Sequence, residues 1–202
     1  ALKLAESAID LAPELPAAAV LAAGLLGAGG KQGKAVRLLE KAWAAHPHPV
    51  LAECLKDLSR GEDSVRYVLA VERLVAGRPD DLESHLAVAG AALDARLWGK
   101  ARSALESVLA DRPQARVLAL MAAIDEGEGR LQESVAWIRR LASAQPDPVW
   151  LCAACGAMAG EWTSTCPACR SFDRLSWRAP EHALQLGDSS LAARALPASS
   201  SA

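Results

Sequence analysis

The feature that most constrains this chain is a proline that returns at nearly constant spacing along its first 146 residues. Successive prolines of this set lie 34, 32, 34 and 33 residues apart, at Pro13, Pro47, Pro79, Pro113 and Pro146. Each one follows a segment rich in alanine and leucine, with apolar residues at helical spacing. Proline cannot continue the hydrogen-bond ladder of a helix, so it stops each segment. This period predicts helical units that repeat in series.

Counting back from each proline places three side chains on one helical face. They lie 12, 8 and 5 residues before the proline, which is an i, i+4, i+7 pattern. The five trios are Ala1/Ala5/Ala8, Ala35/Leu39/Ala42, Tyr67/Val71/Leu74, Ala101/Leu105/Val108 and Ser134/Ile138/Leu141. Glycine-containing turns precede most of these helices, and apolar segments such as residues 15–29 and 82–97 supply the first helix of a pair. The sequence therefore predicts helix–turn–helix units with one contact face on each second helix.

Composition agrees with an all-α fold class. Hydrophobic residues make up 51% of the chain, but only eight residues are aromatic: six Trp, one Tyr and one Phe. Such a composition favours closely packed helices over sheet. The net charge of −2 and the absence of a long basic run give no reason to expect nucleic-acid binding. The longest uncharged run, residues 15–30, is shorter than the roughly 20 residues that span a bilayer, so it predicts a buried helix and a turn.

A 34-residue helix–turn–helix period with proline at its end resembles the tetratricopeptide repeat. The segment LWGKARSALESVLADRP at 97–113 is the closest match, and the resemblance covers residues 1–147. It implies a superhelix whose concave groove holds a protein or peptide partner. Because the match begins inside a repeat, we expect further chain before Ala1. The unit between Pro47 and Pro79 is short and carries Tyr67 where a small residue is usual, so we expect a loosely packed pair there.

The repeat region offers little catalytic chemistry. No GxxxxGK[ST], GxSxG, HExxH or glycine-rich dinucleotide pattern occurs, and we predict that the protein is not an enzyme and has no catalytic residues. His46 and His48 lie in an HPHP junction that we interpret as a solvated turn. His85 is predicted to lie on a surface or in the groove without a chemical role. Cys54 has no second cysteine nearby and is predicted to be a small buried residue.

Four of the five cysteines form the pattern C-x2-C-x10-C-x2-C, at Cys152, Cys155, Cys166 and Cys169. This spacing predicts that four thiolates bind one metal ion, because two intervening residues let each pair turn back on the same ion. Gly156 supplies the positive φ that the first turn needs. Structural Zn²⁺ is the favoured ion and iron in a rubredoxin-like centre is the alternative. Two disulfides or a thioredoxin-like dithiol remain as other interpretations of the same spacing.

The residues around the cysteines predict a small ribbon at 148–180. A unit this small needs metal and aromatic residues to form its core, and Trp150, Trp162 and Trp177 are predicted to shield the ion, with Phe172 as a fourth aromatic. Apolar residues predict a short strand on each side of the cysteines, at 148–152 and 171–177. Residues 181–202 are small and polar with weak periodicity, and we expect a disordered tail.

Repeats followed by DPVWLCAACG and EWTSTCPACRSFDRLSWR resemble the C-terminal part of the alphaproteobacterial HemY-like family. The arrangement is also similar to LapB, a regulator of lipopolysaccharide assembly with a rubredoxin-type domain. The family resemblance implies a bacterial inner-membrane protein with N-terminal membrane helices, this part on the cytoplasmic side, and a link to haem biosynthesis. Arg170 stands where a rubredoxin has glycine, which disfavours an electron-transfer centre with two matched turns.

The sequence thus predicts repeats at 1–147, a metal ribbon at 148–180 and a tail at 181–202. The predicted function is a non-enzymatic scaffold or adaptor that docks partner proteins at a membrane surface. One alternative is a LapB-like regulator that presents a client to a protease. The other is a rubredoxin-like sensor of redox state or iron.

Overall fold

The computed structural model describes residues 1–61, 63–109 and 113–180. The chain divides into two compact units, Ala1–Gln145 and Pro146–Ala202. The expected disordered tail at 181–202 lies outside the described residues, so the domain boundaries stay a prediction. No helix in the described part of the chain is long and apolar enough to cross a membrane.

The first unit is a series of helices, as the repeat predicts. Its described residues form nine α-helices and a short 3-10 helix at Leu141–Ser143. The helices are α1 Leu2–Leu11, α2 Pro16–Ala28, α3 Gln32–Ala45, α4 Pro49–Leu58, α5 Ser64–Val75, α6 Leu82–Asp94, α7 Trp98–Glu106, α8 Ala115–Gly127 and α9 Leu131–Arg140. Helices that are adjacent in the sequence pack on one another, most closely α2 on α3, α6 on α7 and α8 on α9. The all-α fold class predicted for this region is confirmed.

The predicted contact faces are buried only where a neighbouring repeat covers them. Ala35, Leu39 and Ala42 on α3 are all buried, and Leu105 on α7 is fully buried. On α9 the trio is only partly buried, since Ser134 is buried while Ile138 is 52% exposed.

The pair α4 and α5 departs from the regular packing, as the short repeat led us to expect. These two helices touch each other only slightly; α4 packs chiefly on α2, and α5 packs on α3 and α6. The Tyr67 hydroxyl on α5 donates a hydrogen bond of 3.4 Å to the carbonyl of Ala52 on α4. The bulky ring thus bridges the space that a small residue would have closed.

A buried polar contact connects α3 with α6, whose repeats are separated in the sequence by the α4–α5 pair. Trp43 on α3 has no exposed surface, and its indole Nε1 donates to Ser84 Oγ on α6 over 2.9 Å. The Ser84 hydroxyl in turn donates to the carbonyl oxygen of Arg78 over 2.6 Å. Since a buried indole N–H needs a partner, this chain of hydrogen bonds fixes how α6 meets α3.

The described part of the second unit is a three-stranded antiparallel sheet with the order β2-β1-β3. The strands are β1 Val149–Cys152, β2 Met158–Ala159 and β3 Leu175–Arg178. Both predicted strands are present, as β1 and β3, although β3 begins at Leu175 and not at Ser171. The short β2 was not predicted, because two residues are too few to show alternation.

Candidate metal centre

Two chain reversals place the four predicted cysteines. Cys152 ends β1, where it pairs with Leu175 of β3, and Cys155 follows in the turn that leads to β2. Cys166 and Cys169 lie in a second turn before β3, next to an isolated bridge between Thr165 and Phe172. The sheet thus carries one cysteine pair, and the loop before β3 brings the other pair to it.

The two turns have the same hydrogen bonds. In the first, the Cys152 N–H donates to the carbonyl of Ala157 over 3.0 Å, and the Gly156 N–H donates to the Cys152 carbonyl over 2.8 Å. In the second, the Cys166 N–H donates to the Ser171 carbonyl over 2.9 Å, and the Arg170 N–H donates to the Cys166 carbonyl over 2.9 Å. Each pair of cysteines is therefore held by the same backbone framework.

The inference from Arg170 is wrong. Gly156 has φ of 73°, as predicted, and Arg170 at the equivalent position of the second turn has φ of 60°. A residue other than glycine in the left-handed region costs roughly 1–2 kcal/mol, and the surrounding hydrogen bonds hold it there. The second turn matches the first although it lacks glycine, so this residue gives no ground against an iron centre.

All four sulfurs lie within 4.8 Å of one another. The Sγ atoms of Cys152 and Cys169 are 3.8 Å apart, as are those of Cys155 and Cys166. A tetrahedron with zinc–sulfur bonds of about 2.3 Å has edges of about 3.8 Å, whereas a disulfide bond is about 2.05 Å long. None of the cysteines, all of which lie in the described residues, forms a disulfide. The cluster has the dimensions of a tetrahedral metal site, while metal binding itself stays a prediction.

The electrostatics of the cluster favour a bound cation. The Ser171 hydroxyl and backbone N–H lower the pKa of Cys169 to about 6. Burial raises the pKa of Cys152, but hydrogen bonds from the N–H groups of Ala154 and Cys155 outweigh this effect and bring the pKa below its usual value. For Cys155, the Ala157 N–H lowers the pKa, but neighbouring sulfurs and desolvation raise it to about 12. The Cys169 sulfur is thus prepared as a thiolate, and a cation would be needed to ionise all four sulfurs.

Tryptophans cover one side of the cluster. Trp150 is buried, and its ring centroid lies 5.5 Å from that of Trp177 at an interplanar angle of 59°, while Trp162 is half-buried against the same core. Phe172 does not join them, because its side chain is 74% exposed. The buried cysteines are the first of each pair, Cys152 and Cys166, and the second of each pair is exposed. The centre therefore has a shielded face and a solvent edge.

Three histidines and the fifth cysteine lie in the repeat unit, outside the cysteine cluster. The interpretation of HPHP as a solvated turn is wrong for His48, which is 3% exposed and accepts a hydrogen bond from the Val50 N–H at the start of α4. Its flanking prolines hold it in extended backbone at the helix N-terminus. His46 is exposed, and His85 is half-buried with Nδ1 3.1 Å from Ser107 Oγ. Cys54 is buried, as predicted.

Sequence reasoning missed a buried carboxylate. Asp125 on α8 is 2% exposed and accepts hydrogen bonds from Arg102 over 2.5 Å, from Arg130 over 2.6 and 2.9 Å, and from the Trp137 indole over 2.7 Å. Burial raises its pKa, but hydrogen bonds from the two arginines and the indole lower it to below its usual value. In the sequence, only its position directly after the apolar residues of α8 indicates that Asp125 is buried.

The sequence is similar to the "Probable magnetosome protein Mms48" of Magnetospirillum gryphiswaldense, with 33% identity over 150 residues. The match covers 73% of this chain and 33% of that protein, so the chain spans about a third of the relative's length. No protein-family model matches the chain. The chain is thus a helical-repeat protein and a distant homologue of Mms48, with a four-cysteine cluster at its C-terminal side.

Proposed function

We propose that this protein is a non-enzymatic scaffold or adaptor, in which the helical repeats dock a partner protein and the four cysteines hold a structural metal ion. The observation that carries the proposal is a groove that runs across three successive first helices, α4, α6 and α8. A binding surface shared by several repeats is the usual way in which such arrays recognise extended segments.

The groove has a volume of about 360 Å³ and combines apolar and charged walls. Leu86, Ala87 and Leu120 contribute apolar surface. Two ion pairs cross between helices: Lys56 with Asp94 at 2.6 Å, and Arg116 with Glu83 at 2.6 Å. The remaining lining residues are Pro49, Ala52, Glu53, Tyr67, Gly90, Ala91 and Leu93. Such a mixture suits a peptide segment, which has both apolar side chains and polar backbone.

Site-specific crosslinking tests this groove. A photoreactive amino acid at exposed Glu53, in the groove, should capture one defined protein, and the same group at exposed Glu106 on α7, which lines neither this groove nor the one between α1 and α3, serves as the control. The captured protein, purified separately, should bind the unmodified chain and lose affinity for a Glu53→Lys variant. Equal crosslinking from both positions, or binding that Glu53→Lys leaves unchanged, would contradict a groove-based scaffold.

For the metal, we propose Zn²⁺ held by Cys152, Cys155, Cys166 and Cys169. The ion would neutralise the thiolates and close the small sheet, which has little apolar core of its own. Purified protein should be colourless and contain one zinc per chain by elemental analysis. A red protein that bleaches reversibly with dithionite would instead support the alternative of an iron-based sensor. Two observations support this alternative: Cys155 and Cys169 are exposed to solvent, and the two cysteine turns have matching backbone conformations.

The cellular role is proposed from resemblance. Similarity to the HemY-like family supports an inner-membrane protein with this part in the cytoplasm and a link to haem biosynthesis, whereas similarity to LapB supports presentation of a client to a protease. The relative's name adds the magnetosome as a further place to look for the partner. Affinity purification from solubilised membranes separates these cases, because each predicts a different co-purifying assembly.

A further inference from the structure

A second groove lies between α1 and α3, which are second helices of their pairs and do not line the groove proposed above. Its volume is about 290 Å³. Ile9 and Pro13 on the α1 side and Leu38, Ala42 and Ala45 on α3 form an apolar floor. The volume is at the lower end of small-molecule pockets, which hold about 300–1,000 Å³, and its walls are open along the helices. The groove therefore suits side chains from a partner helix.

The two rims of this groove carry opposite charges. Glu6 and Asp10 lie one turn apart on α1, and Arg37 and Lys41 lie one turn apart on α3. All four side chains are exposed. In the described part of the chain, none of the four forms an ion pair with another residue. One rim is thus acidic, the other is basic, and no described residue of the unit neutralises either rim.

We propose that this groove docks an amphipathic helix with an apolar stripe, a basic flank and an acidic flank. The stripe would fill the floor between Ile9 and Leu38. The basic flank would face Glu6 and Asp10, and the acidic flank would face Arg37 and Lys41. Helices that lie in apolar grooves present residues at i, i+4 and i+7, and charged rims select the partner and its register. The four rim charges, spaced by one helical turn on each side, match this pattern.

Three synthetic helical peptides of about four turns test the proposal. They share a leucine stripe and differ in their flanks: Lys on one and Glu on the other, Glu on both, or Lys on both. A reversed orientation cannot rescue the last two peptides, because one rim always repels them. By fluorescence anisotropy at low salt, the Lys/Glu peptide should bind about tenfold more tightly than either of the others.

Variants at exposed positions distinguish binding in this groove from nonspecific peptide binding. The double variant Arg37→Glu with Lys41→Glu should switch the preference to the peptide with Lys on both flanks. Ala45→Arg should block the floor and abolish binding, and Val65→Asp, at another exposed apolar residue on α5, should leave binding unchanged. Circular dichroism would confirm that each variant keeps its helices.

Three results would overturn the proposal. One is that no peptide binds, and another is that all three bind equally. The third is a dimer in analytical ultracentrifugation that Ala45→Arg dissociates, because a second copy of the chain would then be the occupant of the groove. Failure of the groove on α4, α6 and α8 to crosslink a partner would leave these peptide measurements unaffected.

Discussion

Replacing Asp125 is expected to destabilise the end of the repeat unit more than replacing any surface acid. Its carboxylate holds Arg102 of α7, Arg130 at the start of α9 and the indole of Trp137 in α9. Asp125→Asn keeps the shape but removes the charge and turns one acceptor into a donor. Removal of one partner from a buried ion pair costs about 3–5 kcal/mol. Because the arginine side chains are 25% and 39% exposed and regain water, we expect about 2–4 kcal/mol.

Thermal and urea unfolding followed by helical circular dichroism measure this loss. For a unit of this size the midpoint should fall by about 5–15 °C. Asp57→Asn is the matched control, since Asp57 pairs with Arg60 at side-chain exposures of 66% and 80%; it should change stability by less than about 0.5 kcal/mol. Hydrogen exchange should show that α9 loses protection first, because it depends on this contact.

The pH dependence provides an independent check. Burial raises the pKa of Asp125 in the folded protein, but hydrogen bonds from Arg102, Arg130 and the Trp137 indole together lower it to below its usual value. Its stabilisation is therefore present above the unfolded pKa of about 3.9 and is lost as pH falls through the lower folded pKa. The difference between wild type and Asp125→Asn should shrink below about pH 4. If Asp125→Asn matches Asp57→Asn at neutral pH, the carboxylate does not hold these helices together.

Three further predictions concern the cysteine cluster and one buried histidine. Cys152→Ser with Cys155→Ser should abolish metal binding in elemental analysis and leave the helical signal intact; unchanged metal content would refute the four-cysteine site. Arg170→Gly should relieve the strain of positive φ and tighten zinc binding about two- to fivefold in chelator competition. Gly156→Ala should weaken zinc binding by a similar factor. If both variants changed zinc affinity in the same direction, the two turns would not be matched. Desolvation, with His46 and Arg116 nearby, lowers the pKa of His48 to about 4, so unfolding should become easier as pH falls from 6.5 towards 4, and His48→Asn, which keeps a cap acceptor, should flatten that slope in urea titrations.

Local patterns in the sequence were enough to predict the repeat, the helices and the cysteine cluster. The prolines predicted where α1 and α3 end, two residues before Pro13 and Pro47. In the last repeat the proline was a poorer guide, because α9 ends at Arg140 and a 3-10 turn precedes Pro146. The spacing of the four cysteines predicted that they meet, since a chain reversal of two residues is a local property.

Long-range partners could not be predicted in this way. Asp125 finds Arg102, which is 23 residues earlier, through the packing of α7 on α8, and nothing local marks that pair. Likewise His48 lies between two prolines and looks exposed, yet the packing around the start of α4 buries it. Arg170 adopts a left-handed backbone conformation that its residue type disfavours. Two hydrogen bonds outweigh this preference: the Arg170 N–H donates to the Cys166 carbonyl, and the Cys166 N–H donates to the Ser171 carbonyl.

In the repeat unit, different residues determine stability and binding: buried apolar residues stabilise the helices, and exposed charged residues line the grooves. Ala19, Ala22 and Ala23 are buried on α2, and their small side chains let helices approach closely while Leu39 and Trp43 of α3 fill the core. The apolar residues that specify the stack are thus buried, whereas Glu53 and Lys41, each of which lines one of the two grooves, are exposed. A substitution such as Glu53→Lys or Lys41→Glu should therefore change affinity with little effect on unfolding, because surface changes away from packed contacts usually shift stability by less than about 0.5 kcal/mol. Leu39→Ala, in contrast, should cost about 2–5 kcal/mol, since Leu39 has no exposed surface. A binding defect from Glu53→Lys that came with a comparable loss of stability would show that the groove and the core are not separable in this way.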